Sequence, residues 1–166
     1  GLILLLSCSN QSTDSRASTT ESVTAAQTEQ KEQSGPKIII IGDSITAGLG
    51  VSAESIFSTL LEQKFKQVGM PTTVLNGGLS GDTTAGGLRR IDWFLKQNPD
   101  LLLIELGGND GLRGVELADI EKNLSAMIEK SQAANVDVQL IQMQIPANFG
   151  QDYTDGFAAL YPKIAS

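Results

Sequence analysis

The sequence predicts an α/β fold, a mainly parallel sheet with helices on both faces. Three observations carry this reading. Short apolar runs of strand length alternate with longer segments whose apolar residues recur at helical spacing. The strongest run, Lys37-Ile38-Ile39-Ile40-Ile41, is continuously β-branched after its Lys, as suits a strand covered on both faces. Three consecutive strand candidates then end in glycine-marked turns, which a parallel sheet brings out at one edge.

The chain opens on Gly1-Leu2-Ile3-Leu4-Leu5-Leu6-Ser7, then Cys8, then the polar Ser9-Asn10-Gln11-Ser12-Thr13. An apolar core, a small residue and a break form the pattern of a secretory signal near its cleavage site. Leu5-Leu6-Ser7-Cys8 resembles the bacterial lipobox, in which the cysteine becomes the lipidated first residue of the mature protein. A cysteine buried in a short core helix is the plainer alternative, but the polar stretch that follows gives it nothing to pack with. Residue 1 is Gly, and no Lys or Arg precedes Arg16, so residues 1–8 read as part of a lipoprotein signal peptide. The expected location is the periplasmic side of a bacterial envelope, with a membrane anchor at Cys8. Residues 9–36 are rich in Ser, Thr, Gln and Glu, and Val23 is their only large apolar residue. Such a segment buries too little surface to offset its ordering entropy and reads as a disordered tether.

Residues 37–166 carry the domain. After the Lys37–Ile41 strand, residues 54–68 place Ile56, Phe57, Leu60, Leu61, Phe65 and Val68 at helical spacing, and Gly69 ends the pattern. Residues 72–75 form a short strand. Residues 83–97 suit a helix with Leu88, Ile91, Trp93, Phe94 and Leu95 as apolar members; Trp93 and Phe94 are expected in the core. Asn98-Pro99-Asp100 marks a turn. Residues 101–105 are a second buried strand, residues 116–134 a helix with Ile120, Leu124, Met127 and Ile128 on one stripe, and residues 136–143 a fourth strand. Residues 151–164 read as a last helix whose completion the pattern leaves open. An open sheet of four strands leaves an edge poorly covered, which hints at a further unit.

About 130 residues are enough for one core. The formal charge of −7 and pI near 4.5 argue against nucleic acid, which is held mainly by Lys and Arg on phosphates. No internal segment approaches the roughly 18 to 20 apolar residues that span a bilayer. A nucleotide site is a weak alternative: Gly42 to Gly50 follows a strand but lacks Gly-x-Gly-x-x-Gly, and Gly77 to Thr84 lacks a phosphate-loop Lys.

The three turns are Gly42-Asp43-Ser44, Asn76-Gly77-Gly78-Leu79-Ser80-Gly81-Asp82-Thr83 and Gly107-Gly108-Asn109-Asp110. Acyl transfer needs a nucleophile, a base and donors for the oxyanion. Ser44, on a strand-to-helix turn, is the candidate nucleophile, and its own N–H points the same way. Gly81 lets a backbone N–H approach substrate with no side chain in the way; Gly77 and Gly78 compete for that role. Asn109 offers a neutral amide donor, and one such donor is worth about 3 to 4 kcal/mol of barrier. Each has a plainer reading: a turn serine, a turn glycine, and an Asn capping its own turn. Asp43, Asp82 and Asp110 read as carboxylates that hydrogen-bond nearby backbone N–H groups, and Arg89, Arg90 and Arg113 as solvated or loop-bracing. The chain contains no His.

These turns resemble the first three blocks of the SGNH, or GDSL, hydrolase family. The stretches Glu105-Leu106-Gly107-Gly108-Asn109-Asp110-Gly111-Leu112-Arg113-Gly114 and Gln144-Ile145-Pro146-Ala147-Asn148-Phe149-Gly150 resemble its bacterial periplasmic arylesterase, thioesterase and lysophospholipase subgroup. The resemblance covers residues 37–166. It implies a three-layer, flavodoxin-like α/β/α sandwich. It implies Ser44 as nucleophile with an oxyanion hole of Ser44 N–H, Gly81 N–H and the Asn109 side chain. It also implies small acyl-ester substrates and no metal or organic cofactor. The family's last block, an Asp-x-x-His supplying the base, has no counterpart here, so the domain reads as truncated before it and inactive by itself. Within the fold, deacetylation of a cell-wall sugar is the alternative; outside it, a lipid-anchored binding protein without a base.

Overall fold

Four consecutive isoleucines in a strand must point alternately to opposite sides, so such a strand is stable only between two apolar layers. In the computed structural model, which describes residues 35–166, that strand is the centre of the sheet. β1 (Lys37–Gly42) pairs in parallel with β2 (Thr73–Gly78) on one side and with β3 (Leu101–Glu105) on the other. β3 pairs in parallel with β4 (Asp137–Leu140), giving the order β2-β1-β3-β4. The expectations for residues 1–34, including lipidation at Cys8, lie outside the described residues.

The two faces sort by parity. Ile39, Ile41, Leu102 and Ile104 face one layer, built from α3 (Thr84–Leu95), α5 (Leu117–Ala133) and α6 (Gln151–Ala165) with Ile91, Phe94, Ile120, Leu124, Met127 and Phe157. Ile38, Ile40 and Leu103 join Val74 on the opposite face against Leu61 and Phe65 of α2 (Phe57–Gln67). This is the three-layer sandwich the sequence leads one to expect. Ile39, Ile40 and Ile41 are wholly buried, and full burial of each such side chain is worth ~1.5–3 kcal/mol.

Several boundaries differ from expectation. The helix expected over 54–68 is split: a 3-10 turn at Ala53–Ser55 precedes α2. β2 runs on to Gly78, so Gly77 and Gly78 belong to the strand and not to the turn. Their missing side chains leave room for neighbours, since a Cβ would strike the Phe94 ring at Gly77 and the Ala47 backbone at Gly78. β4 is shorter than expected, with no regular structure from 141 to 146. Trp93 is not a core residue; it is 64% exposed. In α3 the inward line is Gly87, Ile91 and Phe94, and Trp93 stands roughly 100° around the helix from Phe94 and further from the other two, edge-on to Phe94 with ring centroids 4.9 Å apart. The last helix runs over Gln151–Ala165 although it contains Pro162. The ring removes the N–H that Ala158 C=O would accept, and Gln142 Nε2 donates to that oxygen instead, at 3.3 Å.

Candidate active site

Register brings the site together. Gly42 is level with Gly78 of β2 and with Glu105 of β3, so the loops that follow leave the sheet side by side. The reversal of strand order between β1 and β3 opens a crevice there, where open α/β sheets bind ligands.

After β1 the chain enters α1 (Ser44–Ala47). Asp43 caps it, accepting from Ile45 N–H on Oδ1 at 2.9 Å, which holds Ser44 half-buried at the first helical position. After β2, Leu79 N–H donates to Gly42 C=O at 3.0 Å, tying the second loop to the first. Gly81 follows at φ +79°, a left-handed conformation that disfavours any residue with a Cβ. Asp82 accepts from Thr83 N–H at 3.0 Å and from Arg90 Nε at 2.8 Å. The Arg90 guanidinium also donates to Gly77 C=O at 2.5 Å and Gly42 C=O at 3.0 Å, and lies over the Phe94 ring. Arg90 is thus an internal brace, not a solvated charge. Arg113 braces from outside, donating to Gly81 C=O at 3.0 Å.

The third loop opens α4 (Gly108–Leu112). Asn109 does not cap its own turn. Its Nδ2 donates to Asp43 Oδ2 at 3.0 Å and to Asp82 C=O at 2.9 Å, so one amide ties all three loops. Asp43 and Asp82 bond neighbouring N–H groups as expected. Asp110 does not: it reaches back to α3 and accepts from Thr84 N–H at 2.9 Å and Thr84 Oγ1 at 2.6 Å. It is 1% exposed, and losing such buried charge-assisted bonds is costly.

A cavity of about 270 Å³ opens here, lined by Ser44 and Asn109 with Ile45, Leu112, Met143 and Pro146 supplying apolar wall. Ser44 and Asn109 are therefore brought together. Gly81 does not line the cavity, though the carbonyl of its neighbour Asp82 accepts from Asn109. Ile45, Leu112, Met143 and Gln144 were not anticipated as cavity walls; the stretch from Gln144 to Gly150 was singled out only by resemblance. A larger cleft of about 570 Å³ lies elsewhere, beside the Asp92–Lys130 ion pair, and no Ser, Thr or Cys lines it.

The chemistry follows from the donors. Among the described residues, no protein acceptor takes the N–H of Ser44 or of Gly81. Both are available to an oxygen that gains negative charge. The Asn109 amide must exchange one of its two present partners to join them. Tyr161, buried and donating to Leu106 C=O at 2.9 Å, has its hydroxyl pushed above the ordinary value, chiefly by burial, with Asp110 adding to it. It is a neutral structural donor under the third loop.

A model of the GDSL-like lipase/acylhydrolase family matches residues 40–165. The chain belongs to this family. Two curated relatives and a solved structure show where this member stands in it. An arylesterase of Vibrio mimicus is 42% identical over 134 residues, 80% of this chain and 67% of that protein. The thioesterase 1/protease 1/lysophospholipase L1 of Escherichia coli K12 is 42% identical over 129 residues, 77% of this chain and 61% of that protein. The crystal structure of AlinE4, an SGNH-hydrolase family esterase, superposes with a TM-score of 0.76 at 37% identity, covering 79% of this chain and 71% of that one. The chain thus spans 61% to 67% of the length of these curated relatives.

In this GDSL-family member Glu105 sits buried at the end of β3, 7% exposed. Its carboxyl is held above the ordinary value of 4.5, first by desolvation, against a lowering hydrogen bond from Thr46, with Asp43 raising it further. Between 4.5 and that raised value the folded state binds more protons than the unfolded state, so this group's contribution to stability falls as pH rises. Glu105→Gln cannot ionise. Urea unfolding is therefore expected to show the variant gaining on the parent as pH climbs from 4.5 toward neutrality; a difference independent of pH contradicts the assignment.

Proposed function

We propose that the whole protein is a serine esterase working through an acyl-serine intermediate on short to medium acyl esters or thioesters. The observation that carries this reading is that Ser44 and Asn109 line one cavity with apolar walls, while no protein acceptor among the described residues takes the Ser44 or Gly81 N–H. The names of the relatives, arylesterase and thioesterase among them, support the same bond class.

In this reading the Ser44 Oγ attacks the acyl carbon while a base removes its proton, and the carbonyl oxygen becomes an oxyanion. The Ser44 and Gly81 N–H groups and the Asn109 amide hold that charge. Collapse breaks the bond to the alcohol or thiol, which leaves with the proton. Water repeats the attack on the acyl-serine, releasing the acid and restoring Ser44. The route requires a base, and these 166 residues include no His; the reading takes the base from outside them. The cavity walls Ile45, Leu112, Met143 and Pro146 suit the acyl chain.

In the whole protein, Ser44→Ala is expected to abolish p-nitrophenyl ester hydrolysis, and Asn109→Ala to lower kcat by about 10² to 10³; turnover surviving in Ser44→Ala overturns the proposal. We further propose that Cys8 carries a lipid anchor, on the strength of Leu5-Leu6-Ser7-Cys8 before a polar stretch. Fractionation of bacteria making Cys8→Ser is then expected to move the protein from the membrane to the soluble fraction, and unchanged membrane association contradicts the anchor.

A further inference from the structure

Thr46 lies two residues after Ser44 and is 1% exposed. Two strands that flank β1 both grip it. From β3, Glu105 accepts the Thr46 hydroxyl on Oε2. From β2, Asn76 donates through Nδ2 to the Thr46 carbonyl at 2.6 Å. Asn76 is itself fixed: Nδ2 also donates to Ser58 Oγ of α2 at 3.0 Å, and Oδ1 accepts from Gly78 N–H at 2.9 Å. The strand ends leave the space this needs. A Cβ at Gly42 would land on the Thr46 hydroxyl and the Glu105 carboxyl, and one at Gly78 on the backbone of Ala47.

The grip matters because α1 is short. It has four residues, and its turn is closed by Ala47 N–H to Asp43 C=O at 3.0 Å, Gly48 N–H to Ile45 C=O at 3.1 Å and Leu49 N–H to Ser44 C=O at 3.0 Å. One helical turn does not support itself in water, because nucleation costs more than a single turn returns. Something outside the turn has to hold it, and the apolar core does not: Ile45 is 62% exposed and Leu49 73% exposed. Thr46 is the one α1 side chain that enters the interior, and it enters by hydrogen bonds.

We propose that Thr46 is the positioning residue of the nucleophile turn, clamped by Glu105 through its hydroxyl and by Asn76 through its carbonyl so that the Ser44 hydroxyl is aimed at the acyl carbon. The proposal rests on the reading of Ser44 as nucleophile. Thr46, Glu105 and Asn76 do not line the cavity, so they set aim without contributing to substrate contact. The plainer alternative is a buried threonine that is merely satisfied, which costs stability when removed and leaves the rate per folded enzyme alone.

The experiment uses the whole protein with p-nitrophenyl esters, together with hydrogen exchange at the amides of Ala47, Gly48 and Leu49. Thr46→Val keeps the shape and removes the hydroxyl. It is expected to lower kcat by about 10- to 100-fold, the scale of an ~1 Å misplacement, with KM little changed and the three amides exchanging faster while those of α5 do not. Thr46→Ser, which keeps the hydroxyl, restores most of kcat. A folded Thr46→Val with parental kcat and parental exchange overturns the clamp. Where Thr46→Val does not fold, Asn76→Ala removes the other grip; the same kcat loss and faster exchange support the clamp, and parental values of both overturn it. Should Ser44→Ala retain turnover, the esterase reading fails, yet the exchange measurements still decide whether Thr46 holds the turn.

Discussion

The pairing register of β1 is the constraint on which everything else depends. Gly42 level with Gly78 and Glu105 sets the height at which three loops leave the sheet. A slip of one residue reverses every side chain to the opposite face. Ile39 and Ile41 would then confront α2, and Ile38 and Ile40 the α3–α5–α6 layer. Both layers are apolar, so burial alone specifies this register less sharply than it does in a one-sided sheet. The polar contacts at the strand ends add what burial lacks. Arg90 donates to Gly77 and Gly42 carbonyls from one guanidinium, and Leu79 N–H closes on Gly42 C=O. A register shift breaks these together.

The site is a network of buried polar groups that satisfies itself. Asp43, Asp82, Glu105 and Asp110 are all under 9% exposed. Such groups are tolerated only when hydrogen-bonded or paired. Asp82 has Arg90, Asp110 has Thr84, Asp43 has Ile45 N–H and Asn109, and Glu105 has Thr46. Removing one member leaves another uncompensated, so single substitutions are expected to act beyond their own contacts. Asn109 has a double part in this. It is a knot between loops in the structure described here and an oxyanion donor in the proposed mechanism, and the second role draws on a bond that serves the first.

Much of the fold was legible in the sequence because its signals are local. An unbroken run of isoleucines and glycines at strand ends carry their meaning within a few residues, and Ser44 and Asn109 do meet at one cavity. The misses are of another kind. Trp93 looked apolar enough for the core, but helix phase, not hydrophobicity, decides which side faces in. Gly77 and Gly78 looked like turn residues, whereas Phe94 and Ala47 occupy the space where their side chains would be. Glu105 was passed over as the polar end of a strand. A charged residue between Ile104 and Leu106 in a buried run was the available signal; that Thr46 answers it 59 residues away is a tertiary fact that no local pattern holds. The Thr84 partner of Asp110 escaped for the same reason, whereas Arg90 takes the loop-bracing one of the two parts read for it.

The proposed mechanism requires Ser44, at the edge of the parallel sheet, to act as the nucleophile in the whole protein, and covalent trapping tests that most directly. The whole protein, treated with a p-nitrophenyl alkylphosphonate and digested for peptide mass mapping, is predicted to carry one alkylphosphonyl group, on the peptide that contains Ser44, with loss of ester hydrolysis in proportion to labelling. Complete inactivation with the label on another residue, or turnover undiminished in protein fully labelled at Ser44, contradicts it.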